Sequence, residues 1–281
     1  MELEAIVQEL KKYYENKEFE SFEVTFIRKS VGREVAAIDG GSVILWSNGV
    51  KSIGVMKAGY LIYDENHKIE QKFEEEKYLI FDATESYQRS RLDDERFSME
   101  LKCLKKASKR CNLLLYDGAL MGFGERARKT LRKIGERASV VGISKKTRIN
   151  FLQRGVPDTK TLRMKGRWYF KIPDYLIDAR RYRCLGEIYV AKLHDEGRAF
   201  RVDILGEKVF ENLVYFSNYK LCLGYPYPLL EIHKYVSLRD KVEIFQTKLR
   251  EKMFEEGLQR EYLSGTAGEV VDYHRILDNL S

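Results

Sequence analysis

Two aspartates in this sequence stand where an unpaired charge is costly. Asp39 follows the apolar run Val35-Ala36-Ala37-Ile38, and Asp117 follows Leu113-Leu114-Leu115-Tyr116. Each ends a run apolar enough to be a buried strand. Each also precedes a glycine, Gly40 or Gly118, that lets a ligand or a second backbone come close. A single Asp-Gly pair makes a turn. Two of them at the tips of neighbouring buried strands place carboxylates side by side, where they repel unless a cation lies between them. Glu100 is a third acid in an uncomfortable place: positions 97, 100, 101 and 104 share one helical face, so it projects toward the core with Phe97 and Leu104. There it must be paired, protonated or metal-bound, a salt bridge to a nearby lysine being the plain alternative. His233 shares a helical face with Leu229 and Val236 and follows Tyr225 closely, either as a hydrogen-bonded core residue or as a ligand. Three carboxylates and an imidazole are the donor set of Mn²⁺ or Mg²⁺. Two such ions about 3.5–4 Å apart would activate water and stabilise a leaving oxygen, which is phosphodiester chemistry. Lys145, Lys146 and Arg148, just after the apolar run Ser139 to Ile143, could neutralise phosphate charge or be ordinary surface cations.

The charge distribution names the substrate class. The formal net charge is +7, but residues 1–101 carry 14 basic and 21 acidic side chains, residues 102–183 carry 23 and 6, and residues 184–281 carry 13 and 16. A central block of +17 between two acidic flanks is costly to fold unless it faces a polyanion, of which nucleic acid is the obvious one. The bland alternative is a solvated basic surface. Four widely spaced cysteines, with no Cys-x-x-Cys pair, indicate neither a zinc site nor a secreted disulfide framework. Short apolar runs and an acidic N-terminus exclude membrane spans and a signal peptide, so a cytoplasmic protein is expected.

The elements that must position these residues follow from periodicity. Residues 2–14 read as an amphipathic helix, with Leu3, Ile6, Val7 and Leu10 on one stripe. Short β-rich runs follow at Phe22 to Ile27, Glu34 to Ile38, Ser42 to Trp46, Val50 to Tyr63 with a break near Gly59, and Lys68 to Phe73, separated by turn signals that include Gly40-Gly41. This is an antiparallel meander. A helix over Leu92 to Arg110, the strand ending at Asp117, a basic helix from about Gly124 to Arg137 and the strand Ser139 to Ile143 come next, and strands are expected at Glu187 to Leu193 and Ala199 to Leu205. Helices are expected from Leu229 to about Arg239 and from Val242 to Glu256, and a last one to Leu280 capped by Thr266 with Glu269. The expected fold is α/β, a mixed sheet flanked by helices with N- and C-terminal helical extensions. With no convincing linker, residues 1–281 are read as one domain.

The order strand acid, meander, helix acid, strand acid, late helical histidine resembles the RNase H-like nucleases. The segments Ala37-Ile38-Asp39-Gly40-Gly41-Ser42, Leu114-Leu115-Tyr116-Asp117-Gly118-Ala119-Leu120 seventeen residues beyond Glu100, Val141-Gly142-Ile143-Ser144-Lys145, and Tyr225-Pro226-Tyr227-Pro228-Leu229 with His233 are similar to those of the NurA nuclease family. The resemblance implies that Asp39, Glu100, Asp117 and His233 are metal-binding and catalytic, with Tyr225 near them. It further implies an Mn²⁺-dependent (or Mg²⁺-dependent) 5′→3′ exonuclease with single-strand endonuclease activity, two ions per site and a homodimer. The implied substrates are single-stranded DNA and duplex ends, and the implied partner is a HerA-type hexameric ATPase in end resection and recombinational repair. The absence of a Gly-x-x-x-x-Gly-Lys-Ser/Thr loop agrees with ATP hydrolysis belonging to a partner, docked on the N-terminal helix or the tail after Gly257. The rival expectations are a junction resolvase or an Argonaute-like nuclease, and a non-catalytic DNA-binding scaffold of the same fold.

Overall fold

A computed structural model describes residues 3–15, 23–82, 85–145, 147, 150–152, 157–161, 164–177 and 183–267. Helix α1 (Leu3–Glu15) and the short strand β1 (Thr25–Phe26) precede a meander of β2 (Val35–Ser47), β3 (Lys51–Tyr63) and β4 (Ile69–Asp82). Helix α2 (Glu85–Ala107), β5 (Leu113–Asp117), α3 (Glu125–Gly135) and β6 (Ser139–Ser144) follow. Beyond them come α4 (Asp158–Thr161), β7 (Trp168–Lys171), β8 (Glu187–Lys192), β9 (Ala199–Leu205), α5 (Phe210–Phe216), α6 (Tyr227–Val236), α7 (Val242–Glu255), α8 (Gln259–Ser264) and β10 (Thr266–Ala267).

All the strands join one sheet in the order β1-β7-β8-β9-β6-β5-β2-β3-β4, with β10 paired to the far end of β2. Among the described residues, β2 with β5 and β5 with β6 run parallel and the other pairs are antiparallel. This is the mixed sheet flanked by helices that an RNase H-like fold requires. Its central strand explains the architecture. Leu113, Leu114 and Leu115 are all fully buried, because Leu113 and Leu115 enter the core under α5 and α6 while Leu114 enters the core under α2 and α3. A strand with helices on both faces has to be apolar throughout. Burying each such leucine is worth about 2 kcal/mol.

The largest departure from the periodicity reading lies in the meander. Gly40-Gly41 does not turn the chain; β2 runs through it for 13 residues, so Asp39 is within a strand and not at its tip. The glycines serve close approach instead. A Cβ on Gly40 would lie 2.6 Å from Glu100 Oε1 and 3.0 Å from its Cγ, and one on Gly41 would lie 3.0 Å from the Val236 carbonyl oxygen. One glycine admits the helix on one face and the other admits α6 on the opposite face. Gly40→Ala is therefore expected to destabilise the fold by about 1–3 kcal/mol by overpacking, since Glu100 is held from two sides and cannot yield. The shift of the urea unfolding midpoint measures it.

Strand β4 also continues past Phe73 to Asp82. Strand β3 runs unbroken through Gly59, and the charged run Glu74-Glu75-Glu76-Lys77 belongs to the outermost strand of the sheet, where exposed charges discourage edge pairing. Strand β1 covers only part of the expected Phe22 to Ile27, and Phe22 lies outside the described residues. The expected last helix begins differently: Thr266 pairs with Ser47 in β10, so it is not a helix cap, and residues 268–281 lie outside the described residues. Strand β7 and helices α5 and α8 have no counterpart in the periodicity reading. No helix among the described residues is long and apolar enough to cross a membrane.

Candidate metal centre

Parallel pairing of β2 with β5 runs Ala36↔Leu114, Ala37↔Leu115, Ile38↔Tyr116. Asp39 and Asp117 are the next residue on each strand. Side chains alternate along both, so the two carboxylates leave the sheet on the face covered by α6. That helix is pressed onto β2 and β3 with Leu229, Ile232 and Val236 in the core, which turns His233 toward the acids. The imidazole Nδ1 is 2.8 Å from Asp39 Oδ2 and 3.7 Å from Asp117 Oδ2. Asp39 and Asp117 side chains are 6% and 10% exposed and that of His233 is 54% exposed, so the group is closed on the sheet side and open on the helix side.

One donor atom from each of Asp39, Asp117 and His233 lies within 4.8 Å of the other two, and this is the one such cluster among the described residues. Two carboxylates and an imidazole fit a hard divalent cation with metal–oxygen bonds of about 2.1 Å, which needs the donors only slightly closer together. The electrostatics point the same way. Burial, and then the charge of Asp39, push the Asp117 carboxyl above its ordinary pKa, against the pull of Lys145 and Tyr225. Its hydrogen bond to Asp39 holds the His233 imidazole above its ordinary value, against desolvation and the repulsion of Lys145. Two buried acids and a raised histidine therefore share one space with Lys145.

Around this trio the other expected residues take different places. Lys145, one residue beyond β6, donates from Nζ to Asp117 Oδ2 at 2.5 Å, so it is a direct counter-ion of the acid pair. Its ammonium also lies 5.4 Å from the Tyr225 ring centre. The Tyr225 hydroxyl donates to Asp117 Oδ1 at 3.0 Å, and burial followed by the Asp117 charge raises its pKa, which keeps it a donor. Lys146 and Arg148 lie outside the described residues.

Glu100 is brought close but does not join the trio. It is fully buried, as the stripe on α2 implies, and it stands against Gly40 from the opposite face of the sheet. Both of its oxygens are taken: Arg96 Nη1 donates to Oε1 at 2.5 Å, and the Tyr116 hydroxyl donates to Oε2 at 2.7 Å. The salt-bridge partner is thus an arginine one turn earlier, not a lysine. Burial raises the Glu100 pKa to about 7 in spite of Arg96 and Tyr116, with the Asp39 charge adding to the rise.

Two supporting groups escape a reading by motif. Arg96 could have been found from its i, i+4 spacing to Glu100. Asp203 in β9 could not. It is fully buried, it accepts from the Leu120 backbone N–H at 2.8 Å and it pairs with Arg201 Nε at 2.7 Å, fixing the loop that follows Asp117. No local pattern announces a contact across 83 residues.

The NurA domain model matches residues 33–238 of the chain. Among solved structures, the NurA nuclease from Sulfolobus solfataricus superposes with a TM-score of 0.69 at 19% identity, covering 91% of this chain and 95% of that one. A NurA structure with manganese gives 0.62 at 11% identity over 88% and 98% of the two chains. One bound to dAMP and manganese gives 0.60 at 10% identity over 83% and 92%. A comparison with curated proteins yields no match.

Proposed function

Because the chain belongs to the NurA family of nucleases, we propose that it is a metal-dependent deoxyribonuclease whose cutting site is the group Asp39, Asp117 and His233. The observation that carries this reading is their convergence from two parallel strands and one late helix, with one donor atom of each within 4.8 Å of the other two. Manganese and dAMP in relatives of the same fold support Mn²⁺ as the cofactor, with Mg²⁺ its natural substitute, and DNA as the substrate. Bound there, the ions would supply a Lewis acid for the phosphate and lower the pKa of water, two ions serving attacking and leaving oxygens.

The remaining steps fall to the protein. Asp39 and Asp117 hold the centre from the sheet, and His233 closes it from α6. Glu100, held by Arg96 and Tyr116 across β2, would complete the shell only if both released it. Lys145, paired with Asp117 in this structure, would be free to meet a phosphate oxygen once a cation neutralised the acids, where a positive charge is worth most as charge develops. Lys146 and Arg148, which follow it in the sequence, are assigned to binding the DNA backbone. Tyr225 keeps Asp117 in one orientation through its hydroxyl. We assign the enzyme 5′→3′ exonuclease and single-strand endonuclease activity in DNA end resection, as a cytoplasmic homodimer acting with a HerA-type hexameric ATPase, with residues 1–281 as one nuclease domain.

The test is cleavage of 5′-labelled single-stranded DNA and of blunt duplex by the purified protein, with Mn²⁺ and with EDTA, beside co-elution with such an ATPase. Mn²⁺-dependent release of short 5′ products is expected. A protein that binds DNA without cutting it under any divalent ion would be a scaffold, and junction-specific or guide-dependent cutting would place it with the rival nucleases.

A further inference from the structure

A dense run of positive charge lies away from the metal centre. Between Lys102 and Ala138 the chain holds eleven basic and three acidic residues, and one of those three acids is Asp117 itself. This stretch contains the end of α2 and all of α3, which lie over the same core of Leu104, Leu131 and Ile134. Burial of Leu131 and Ile134 turns the opposite side of α3 outward, and on it Arg126, Lys129, Lys133 and, just past the helix, Arg137 follow at i, i+3, i+7 and i+11. At 1.5 Å per residue this stripe is about 16 Å long, close to five phosphate steps along one strand of a duplex. Lys105 and Lys109 on α2 are exposed as well. None of these six cations has an acidic partner among the described residues, whereas Arg128 meets Glu125 and Lys102 meets Glu75.

The two tracks lie on opposite faces of the sheet. Asp117 leaves β5 on the side of Leu113 and Leu115, under α6, while α2 and α3 cover the side of Leu114 and Tyr116. Phosphates on the helical stripe are therefore not those being cut.

We propose that α3 and the end of α2 form a second nucleic-acid surface that grips the duplex backbone away from the metal centre. It holds the uncut flank of a long substrate through sequence-independent phosphate contacts. Unpaired, evenly spaced cations on a rigid helix suit a regular polyanion, and their energetic return is counter-ion release, which depends on salt and not on base sequence. The inference rests on the reading of the protein as a DNA enzyme and adds to it a length preference. Long DNA gains the second grip, and a fragment of a few nucleotides in the metal centre does not reach it.

The test is the triple variant Arg126→Gln, Lys129→Gln, Lys133→Gln in the full chain, with Arg126→Lys as the charge-keeping control. Anisotropy with a long fluorescent duplex in EDTA, over a salt series, reads the binding. Three lost contacts should flatten the slope of log K against log salt by about 2.7 and weaken binding roughly tenfold or more at moderate salt. The control should stay at wild-type values, and Mn²⁺-dependent cleavage of a hexanucleotide should keep its rate. An unchanged slope and affinity for the long duplex would overturn the proposal, as would a variant that loses binding to polyglutamate alone, which would mark a site for an acidic protein. A wild-type protein that shows the charge-dependent grip but never cuts DNA leaves this surface standing and removes the nuclease assignment. Cutting without any effect of the triple variant does the reverse.

Discussion

Asp117→Asn is expected to reduce Mn²⁺-dependent DNA cleavage by about a thousandfold or more while leaving the metal-free protein as stable as before, or more stable. The two halves come from one cause. Asp117 leaves the sheet beside Asp39, and burial and that neighbour together raise its pKa, so the folded state disfavours its charge. A neutral isostere keeps the acceptor for the Tyr225 hydroxyl and removes the repulsion. It gives up Lys145, whose ammonium is partly exposed and is free to return to water. Catalysis needs the charge that stability does not. A carboxylate ligand that helps polarise phosphate and water carries several kcal/mol of transition-state stabilisation, and each 1.36 kcal/mol is tenfold in rate. A thermal melt in EDTA and a single-turnover cleavage assay measure both halves. Wild-type cleavage by the variant would remove Asp117 from the site. A large fall in melting temperature would mean that the acid is there for its bonds to Lys145 and Tyr225 and not for a cation.

The same residues show why part of the site is readable before any fold is known. Asp39 and Asp117 stand out because each breaks an apolar run, and a strand buried on both faces leaves no comfortable place for a charge. Glu100 stands out because Phe97 three residues before it and Leu104 four residues after it are apolar, and the fold buries it as that stripe demands. Their partners are another matter. That Lys145 reaches Asp117 depends on β6 lying beside β5, and that Tyr116 and Arg96 claim both oxygens of Glu100 depends on the depth at which α2 packs. The glycines mislead for a related reason. Gly40-Gly41 carries a turn's composition, but the space on each side of β2 is what requires it, and that space is set by two helices that arrive 60 and almost 200 residues later. The second half of strand β4 is missed because its charges answer to being the sheet's outer edge, a property of topology that its own residues do not carry.

Metal-free protein should lose stability as pH rises from about 5 to 8, and Mn²⁺ should restore more of it at pH 8 than at pH 5. Three groups at the centre bind protons more tightly folded than unfolded. Burial lifts Glu100 from 4.5 to about 7, Asp117 is raised from 3.8, and its bond to Asp39 raises His233 from 6.5. Where the native state holds more protons than the unfolded chain, unfolding free energy falls with increasing pH. For the acids the fall begins above their unfolded values and for the histidine above 6.5, so between pH 5 and 8 the three act in one direction. Glu100 alone contributes about 3 kcal/mol across its window, at 1.36 kcal/mol per pKa unit. The net positive charge of the whole chain works oppositely, since raising pH toward a pI of about 9.0 relieves its self-repulsion. Glu100→Gln separates the two: it keeps an amide between Arg96 and Tyr116, loses the titration, and should flatten the decline between pH 5 and 7. Ligands must shed their protons before a cation enters, so the same groups make Mn²⁺ affinity climb over this interval. Melting temperatures measured from pH 5 to 8, with EDTA and with Mn²⁺, give every term. A metal-free protein whose wild-type and Glu100→Gln profiles run parallel would show that this carboxyl is already ionised behind Gly40, satisfied by Arg96 and with no reason to accept a cation.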